Sequence, residues 1–297
     1  MQRERIADDI YVFTSERYAQ VTASVVITSE GAVLIDTLLF PEETRTISQF
    51  VERRLGCPVR YVINTHYHAD HTYGTCQFPK AIVIAHARCA ELLNTRGREG
   101  LFQAQQGSPE LAEVKIIVPH LTFEHHFTFS LGNKSFNLWH TPGHSHDSIV
   151  CLIKEDRVLV AADTLMALPY FVDGDHLSFL ESLRGLQHHF FENIVQGHGE
   201  VILRGEVEEK ITGDIAYLQA LQRQVEIALQ KSDPTKYLDR IDIEKCGKSH
   251  VLLHGTAPQL HRANLMALYA RSRLTKNGKT SALPKAESAY EATEGAS

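Results

Sequence analysis

The sequence predicts an α/β protein, and three observations carry that reading. Apolar, β-branched runs alternate with amphipathic segments through residue 93. Successive strands broken by tight turns follow up to residue 160. After Gly205 the periodicity is helical.

Residues 10–14 and 24–28 read as the opening strands, and the Glu30-Gly31 turn leads into a third at 32–35. Pro41-Glu42-Glu43 then starts an amphipathic helix with Ile47, Phe50, Val51 and Leu55 on one face, stopped by Gly56. Strands follow at 59–63 and 81–85, with a short helix at 87–93 that His86 caps. Residues 96–115 are polar and weakly periodic and read as a surface insertion or lid, partly helical. Six strands come next, at 116–118, 121–123, 127–129, 135–139, 149–153 and 158–160; turns at 131–134 and 154–157 close two hairpins. A helix spans 176–190, a short strand 193–196, and long helices 207–231 and 259–274, with Asp233-Pro234 as a break.

With 297 residues, 43% of them hydrophobic, the chain can bury a core for one large domain or for a domain plus an appendage. The division expected is a catalytic domain at 1–205, a helical extension at 206–275 and a disordered tail at 276–297, which has little to bury. A formal charge of -6 lacks the basic footprint of a nucleic-acid binder. No stretch reaches the length of a membrane span. The five cysteines are scattered, without a C-x-x-C pair, and the N-terminus is charged, so a reducing cytoplasmic location is expected.

The chemistry concentrates in Thr65-His66-Tyr67-His68-Ala69-Asp70-His71, directly after the strand at 59–63. Three imidazoles and a carboxylate at the end of a core strand are costly to desolvate without a partner, and a divalent metal suits both donor types. Ligands packed this closely cannot all reach one small ion without strain, which suggests two ions side by side. Three more residues end apolar strands among small neighbours: His144 in Pro142-Gly143-His144, Asp163 in Ala161-Ala162-Asp163, and His198 in Gly197-His198-Gly199. Glycine beside a ligand permits close approach of backbone and metal. The other histidines read differently. His120, His125, His126, His188 and His189 belong to the surface, and His250, His254 and His261 to the surface or a substrate edge.

The H-x-H-x-D-H run, the P-G-H, the Asp after a strand and the G-H-G come in the order found in the metallo-β-lactamase-fold hydrolases, and over residues 10 to 200 the chain resembles that family. The resemblance implies an αββα sandwich of two mixed sheets flanked by helices, with the site between the open edges of the sheets. It also implies His66, His68 and His144 on one metal, Asp70, His71 and His198 on a second, and Asp163 bridging. Zinc is the first expectation for the two divalent ions, with iron or manganese also accepted by such donors.

The activity implied is hydrolysis of a carboxylic ester-type bond by a metal-bridging hydroxide, with Asp70 orienting the nucleophile and passing its proton on. An aspartate at position 163 is similar to glyoxalase II-like thioesterases and lactonases, whereas true β-lactamases of the fold usually carry cysteine or serine there. Tyr67, Tyr170 and His146 are candidate oxyanion or substrate contacts, and loop 165–175, with Met166, Leu168 and Phe171, a candidate apolar wall. The alternatives are β-lactam hydrolysis, a phosphodiesterase of the same fold and an iron-dependent redox protein. The expected partner is a small-molecule substrate, with no nucleic acid and no membrane, and a homodimer is the candidate assembly.

Overall fold

A computed structural model describes residues 1–276; the tail expected beyond Lys276 lies outside the described residues. Two sheets face each other. The first has seven strands in chain order: β1 (Gln2–Ala7), β2 (Ile10–Thr14), β3 (Thr22–Thr28), β4 (Gly31–Ile35), β5 (Val59–Ile63), β6 (Ile82–His86) and β7 (Leu121–Phe123). β1 to β4 form an antiparallel meander, and β4 to β7 run parallel. The second sheet has the order β13-β12-β11-β10-β9-β8, from β8 (His126–Leu131), β9 (Lys134–His140), β10 (Ile149–Ile153), β11 (Val158–Ala162), β12 (Asn193–Gln196) and β13 (Ile202–Leu203). Only β11 and β12 pair in parallel within it. Both hairpins anticipated at 131–134 and 154–157 form.

Three apolar layers explain the arrangement. The inner faces meet through Ile10, Val33, Ile35, Ile63 and Ile84 on one side and Phe136, Leu138, Ile149, Cys151 and Val160 on the other. β4 and β11 are buried along their whole length, as strands covered on both faces must be. The outer face of the first sheet packs against helix α1 (Pro41–Ser48) and the π-helical turn Gln49–Arg54 that extends it, through Ile47, Phe50 and Val51. The outer face of the second sheet shares one continuous core with the C-terminal helices: Val150, Leu159 and Ala161 lie in the same cluster as Leu180, Tyr217, Leu221 and Leu265.

Between the sheets' elements lie α2 (Ala69–Thr72), α3 (Ala87–Leu92), α4 (Arg98–Gly107), α5 (His176–Leu186), α6 (Val207–Ala228), α7 (Pro234–Leu238) and α8 (Ala257–Lys276). His86 Nδ1 accepts from the Arg88 amide at 3.0 Å, capping α3 as read from the sequence. The insertion is largely α4, anchored by Leu101, Leu111 and Val114 around Tyr73. Four readings change. Residues 116–118 are not a strand, and the exposed edge strand β1, whose Arg3, Glu4 and Arg5 disguise it, is an addition. The two-residue β13 is another addition, too short for periodicity to register. His261 is buried, not on the surface, held between the Tyr217 hydroxyl at 3.1 Å and the Ile241 carbonyl at 3.2 Å. Among the described residues no helix is long and apolar enough to cross a membrane.

One buried ion group ties α6 to its surroundings. Asp214, 1% exposed, accepts from Lys210 and Lys248, each at 2.6 Å, and Lys210 also donates to the Met166 carbonyl. Asp214→Ala leaves a buried ammonium without its counter-charge, a change that costs about 3–5 kcal/mol. The expected result is a melting temperature lower by on the order of 10 °C, read by circular dichroism; a fall of a degree or less would show that the group contributes little.

Candidate metal centre

Each candidate ligand sits just past the C-terminal end of a buried strand. His66 and His68 follow β5, and α2 then turns Asp70 and His71 back toward them. His144 lies between β9 and β10, Asp163 follows β11 and His198 follows β12. Backbone bonds stitch the sheets together at this end. The Ile149 amide donates to the Thr65 carbonyl, the Thr22 amide to the Gly197 carbonyl and the Gly199 amide to the Gln20 carbonyl. That stitching brings together residues as much as 132 positions apart in the chain, from His66 to His198.

The result is two abutting donor groups. His66 Nε2 and His144 Nε2 stand 3.0 and 2.9 Å from His68 Nδ1. His198 Nε2 stands 3.3 Å from Asp70 Oδ2, and His71 Nε2 stands 3.7 Å from that same oxygen. Asp163 lies between: Oδ1 is 3.3 Å from His71 Nε2, and Oδ2 is 3.2 Å from His144 Nε2 and 3.4 Å from His198 Nε2. The sets His66–His68–His144, His66–His71–Asp163 and Asp70–His71–His198 each gather their ligand atoms within 4.8 Å.

The outward nitrogens show what the inward ones must be. Thr65 Oγ1 gives its proton to Asp36, so it accepts from His66 Nδ1. His68 Nε2 donates to Asp173, His71 Nδ1 to Asp36, His144 Nδ1 to the Tyr170 carbonyl and His198 Nδ1 to the Ala19 carbonyl. Each ring thereby presents a bare lone pair inward, the tautomer a metal requires. Five converging lone pairs and the carboxylates of Asp70 and Asp163 repel one another unless a cation lies among them. His71 Nε2 and Asp163 Oδ1 are indeed buried without a hydrogen-bond partner. The residues present fit a pair of divalent ions.

Burial pushes the His66 imidazole well below its usual pKa and His144 down to about 4, which keeps both neutral. It would also lower the imidazoles of His68, His71 and His198, but Asp173 raises the first and Asp163 with Asp70 raises the other two, a pull toward positive charge that a cation there would satisfy. Burial would raise the Asp163 carboxyl, but His198, His144 and His71 around it hold it well below the usual range. Strained backbone gathers here too: Ala19, Gln20, Asp36, Leu38 and Ala162 all have φ between 43° and 67°. Each costs about 1–3 kcal/mol and persists only where its surroundings enforce it.

Around the ligands, Tyr67 donates its hydroxyl to Asp173 at 2.5 Å, and the Tyr170 ring stands 6.3 Å from that of His144. His146 is exposed, its carbonyl accepting from His140 Nε2. Loop 165–175 is not an apolar wall open to substrate. Leu165, Met166, Leu168 and Phe171 are each at most 2% exposed, packed into the core beneath the C-terminal helices. Two carboxylates went unread in the sequence. Asp36 ends β4 as Asp163 ends β11, a signal that could have found it. Asp173 lies in an irregular loop with no local pattern to mark it.

A sandwich with two adjoining nitrogen and oxygen donor groups at one end defines a metal-site protein. The model of the metallo-beta-lactamase superfamily matches residues 17–203, and the chain belongs to that superfamily. A hydroxyacylglutathione hydrolase of Rhodopseudomonas palustris (strain BisB5) is 28% identical over 185 residues, 61% of this chain and 64% of the relative. A type 2 metallo-beta-lactamase of Elizabethkingia meningoseptica is 24% identical over 215 residues, 66% and 78% of the two chains. An atrochrysone carboxyl ACP thioesterase of Passalora fulva is 23% identical over 181 residues, 60% of this chain but only 48% of that protein. The solved structure of a metallo-beta-lactamase from Pontibacter korlensis shares the fold, with a TM-score of 0.60 at 21% identity over 73% of this chain and 98% of the other.

Proposed function

We propose that this chain is a dinuclear metal-dependent hydrolase that cleaves a carboxylic ester-type bond in a small molecule: a thioester, a lactone or another ester. The observation that carries the reading is Asp163, one buried carboxylate shared between a three-histidine group and an Asp-His-His group. His66, His68 and His144 would hold one ion, Asp70, His71 and His198 the other, and Asp163 both. Zinc, or iron or manganese on the same donors, would supply hydroxide at neutral pH and polarise the acyl oxygen.

The protein's own groups divide the remaining work. His66, His71 and His198 are sealed from solvent, whereas the Asp70 side chain is 14% exposed and can orient a nucleophile and hand a proton to the leaving group. Tyr67 has committed its hydroxyl proton to Asp173, so Tyr170 is the better donor to a developing oxyanion. Relatives named as a thioesterase and a hydroxyacylglutathione hydrolase support the ester reading. An aspartate at 163, where β-lactamases of the fold usually carry cysteine or serine, supports it further. Five free thiols fit a reducing, cytoplasmic setting.

The test is elemental analysis of the purified chain together with a panel of lactone, thioester, phosphodiester and β-lactam substrates. About two divalent ions per chain are expected, with fastest turnover on a thioester or lactone, loss of turnover on chelation and recovery on adding zinc. A clear preference for phosphodiesters or β-lactams would overturn the substrate assignment.

A further inference from the structure

We infer that loop 169–175 is a positioning device for the three-histidine group, with Asp173 orienting His68, and that helix α8 and the insertion hold the loop in place. The inference rests on the metal-binding reading above and assigns a role to the two parts of the chain that lie outside the ligand motifs.

The loop grips the outward side of two of the three rings. Asp173 Oδ2 accepts from His68 Nε2 at 3.2 Å, and the Tyr170 carbonyl accepts from His144 Nδ1 at 2.8 Å. It also lies hard against the backbone of His144: the Asp175 amide donates to the Gly143 carbonyl at 2.9 Å. A Cβ at Gly174 would stand 1.9 Å from that same carbonyl oxygen and 2.5 Å from the His144 carbonyl oxygen. Any displacement of the loop therefore moves both ring partners.

The loop has little regular structure of its own, and its fixed points come from elsewhere. From α8, the fully buried Asn264 accepts from the Phe171 amide at 3.1 Å and donates to the Pro169 carbonyl at 2.7 Å. One turn pair further along the same helix, Arg271 donates to the Val172 carbonyl at 2.9 Å. Asn264 is braced in turn by the Tyr217 hydroxyl, which meets His261. From the insertion side, Arg96 donates to Asp173 Oδ1 at 2.6 Å, while Tyr67 shares Oδ2 with His68. The Asp-His-His group is held by other means, His71 through Asp36 and His198 through the Ala19 carbonyl. The C-terminal helix should therefore act on one metal position and not on the other.

The experiment titrates the metal-free full chain with zinc against a chelating dye, comparing wild type with Asp173→Ala, Asp173→Asn, Arg271→Gln and Asp36→Asn. Loss of an outer partner to a ligating histidine typically weakens metal binding about 10–100-fold. Asp173→Ala should weaken one of the two ions by that factor and leave the other unchanged. Asp173→Asn, which keeps an acceptor oxygen, should recover part of the loss. Arg271→Gln should weaken the same ion from 98 positions away in the chain, with its metal-free melting curve unchanged, and Asp36→Asn, which touches His71 directly and His66 through Thr65, should weaken both ions. Cobalt in place of zinc, read by its visible absorption, identifies which donor set is altered. Equal weakening of both ions by Asp173→Ala, or none, overturns the inference, and an Arg271→Gln chain with wild-type affinity removes the role of α8. A wild-type chain that takes up no metal fails differently: it removes the metal reading itself, and this inference with it.

Discussion

Asp163→Ala should leave the chain folded, nearly free of metal and inactive. The expected loss of turnover exceeds the roughly 100-fold that removing an outer partner costs, because Asp163 touches both donor groups. Asp163 Oδ2 faces His144 Nε2 at 3.2 Å, and the carboxylate separates the imidazoles of the two groups. Without it the five imidazoles lose a counter-charge and stay neutral, and two cations would face each other with one carboxylate fewer to offset them. Metal content by elemental analysis should fall below one ion per chain, and circular dichroism should show the secondary structure intact. Retention of two ions and full turnover would remove Asp163 from the centre of the mechanism.

Gly197→Ala should have an effect of similar size without replacing a ligand. A Cβ at that position would stand 1.8 Å from Asp163 Oδ1 and 2.7–2.8 Å from the backbone of Ala162 and Asp163. The carboxylate must swing away, and backbone atoms cannot yield as a flexible side chain can. Gly197 is also fastened at both ends, its amide to the Ala162 and Leu165 carbonyls and its carbonyl to the Thr22 amide. Overpacking of this kind costs about 1–3 kcal/mol, and the expected readouts are a lowered melting temperature together with lost metal. Gly185→Ala is the control. It lies exposed within α5 with no atom within 4 Å of the added carbon, and there alanine should stabilise by about 0.4–1 kcal/mol. Equal behaviour of the two variants would refute the close-approach argument.

Much of the fold was legible because its parts announce themselves locally. β5, β10 and β12 have the bounds their sequence predicts, since short β-branched runs between turn residues have few other solutions. The long helices were legible from their 3.6-residue periodicity to within a few residues at each end. The misses have equally physical causes. β1 is an edge strand whose charged residues face solvent, so it carries no alternation to detect. By local pattern alone the apolar residues of loop 165–175 make a wall for substrate. They are instead buried under helices that begin some forty positions later, a placement that no local pattern encodes.

The sequence by itself determined the donors: which imidazoles and carboxylates end which strands, beside which glycines, and in what order. Those are local facts, set by side-chain chemistry and by strand-to-loop transitions a few residues long. Only the tertiary structure decided how the donors are held. Asp36 reaches His71 across 35 positions, Asp173 reaches His68 across 105 and Asn264 reaches Phe171 across 93. A hydrogen bond that fixes a tautomer is made between surfaces that meet only once the sheets have closed and the C-terminal helices have docked. Nothing in the spacing of residues along the chain anticipates it.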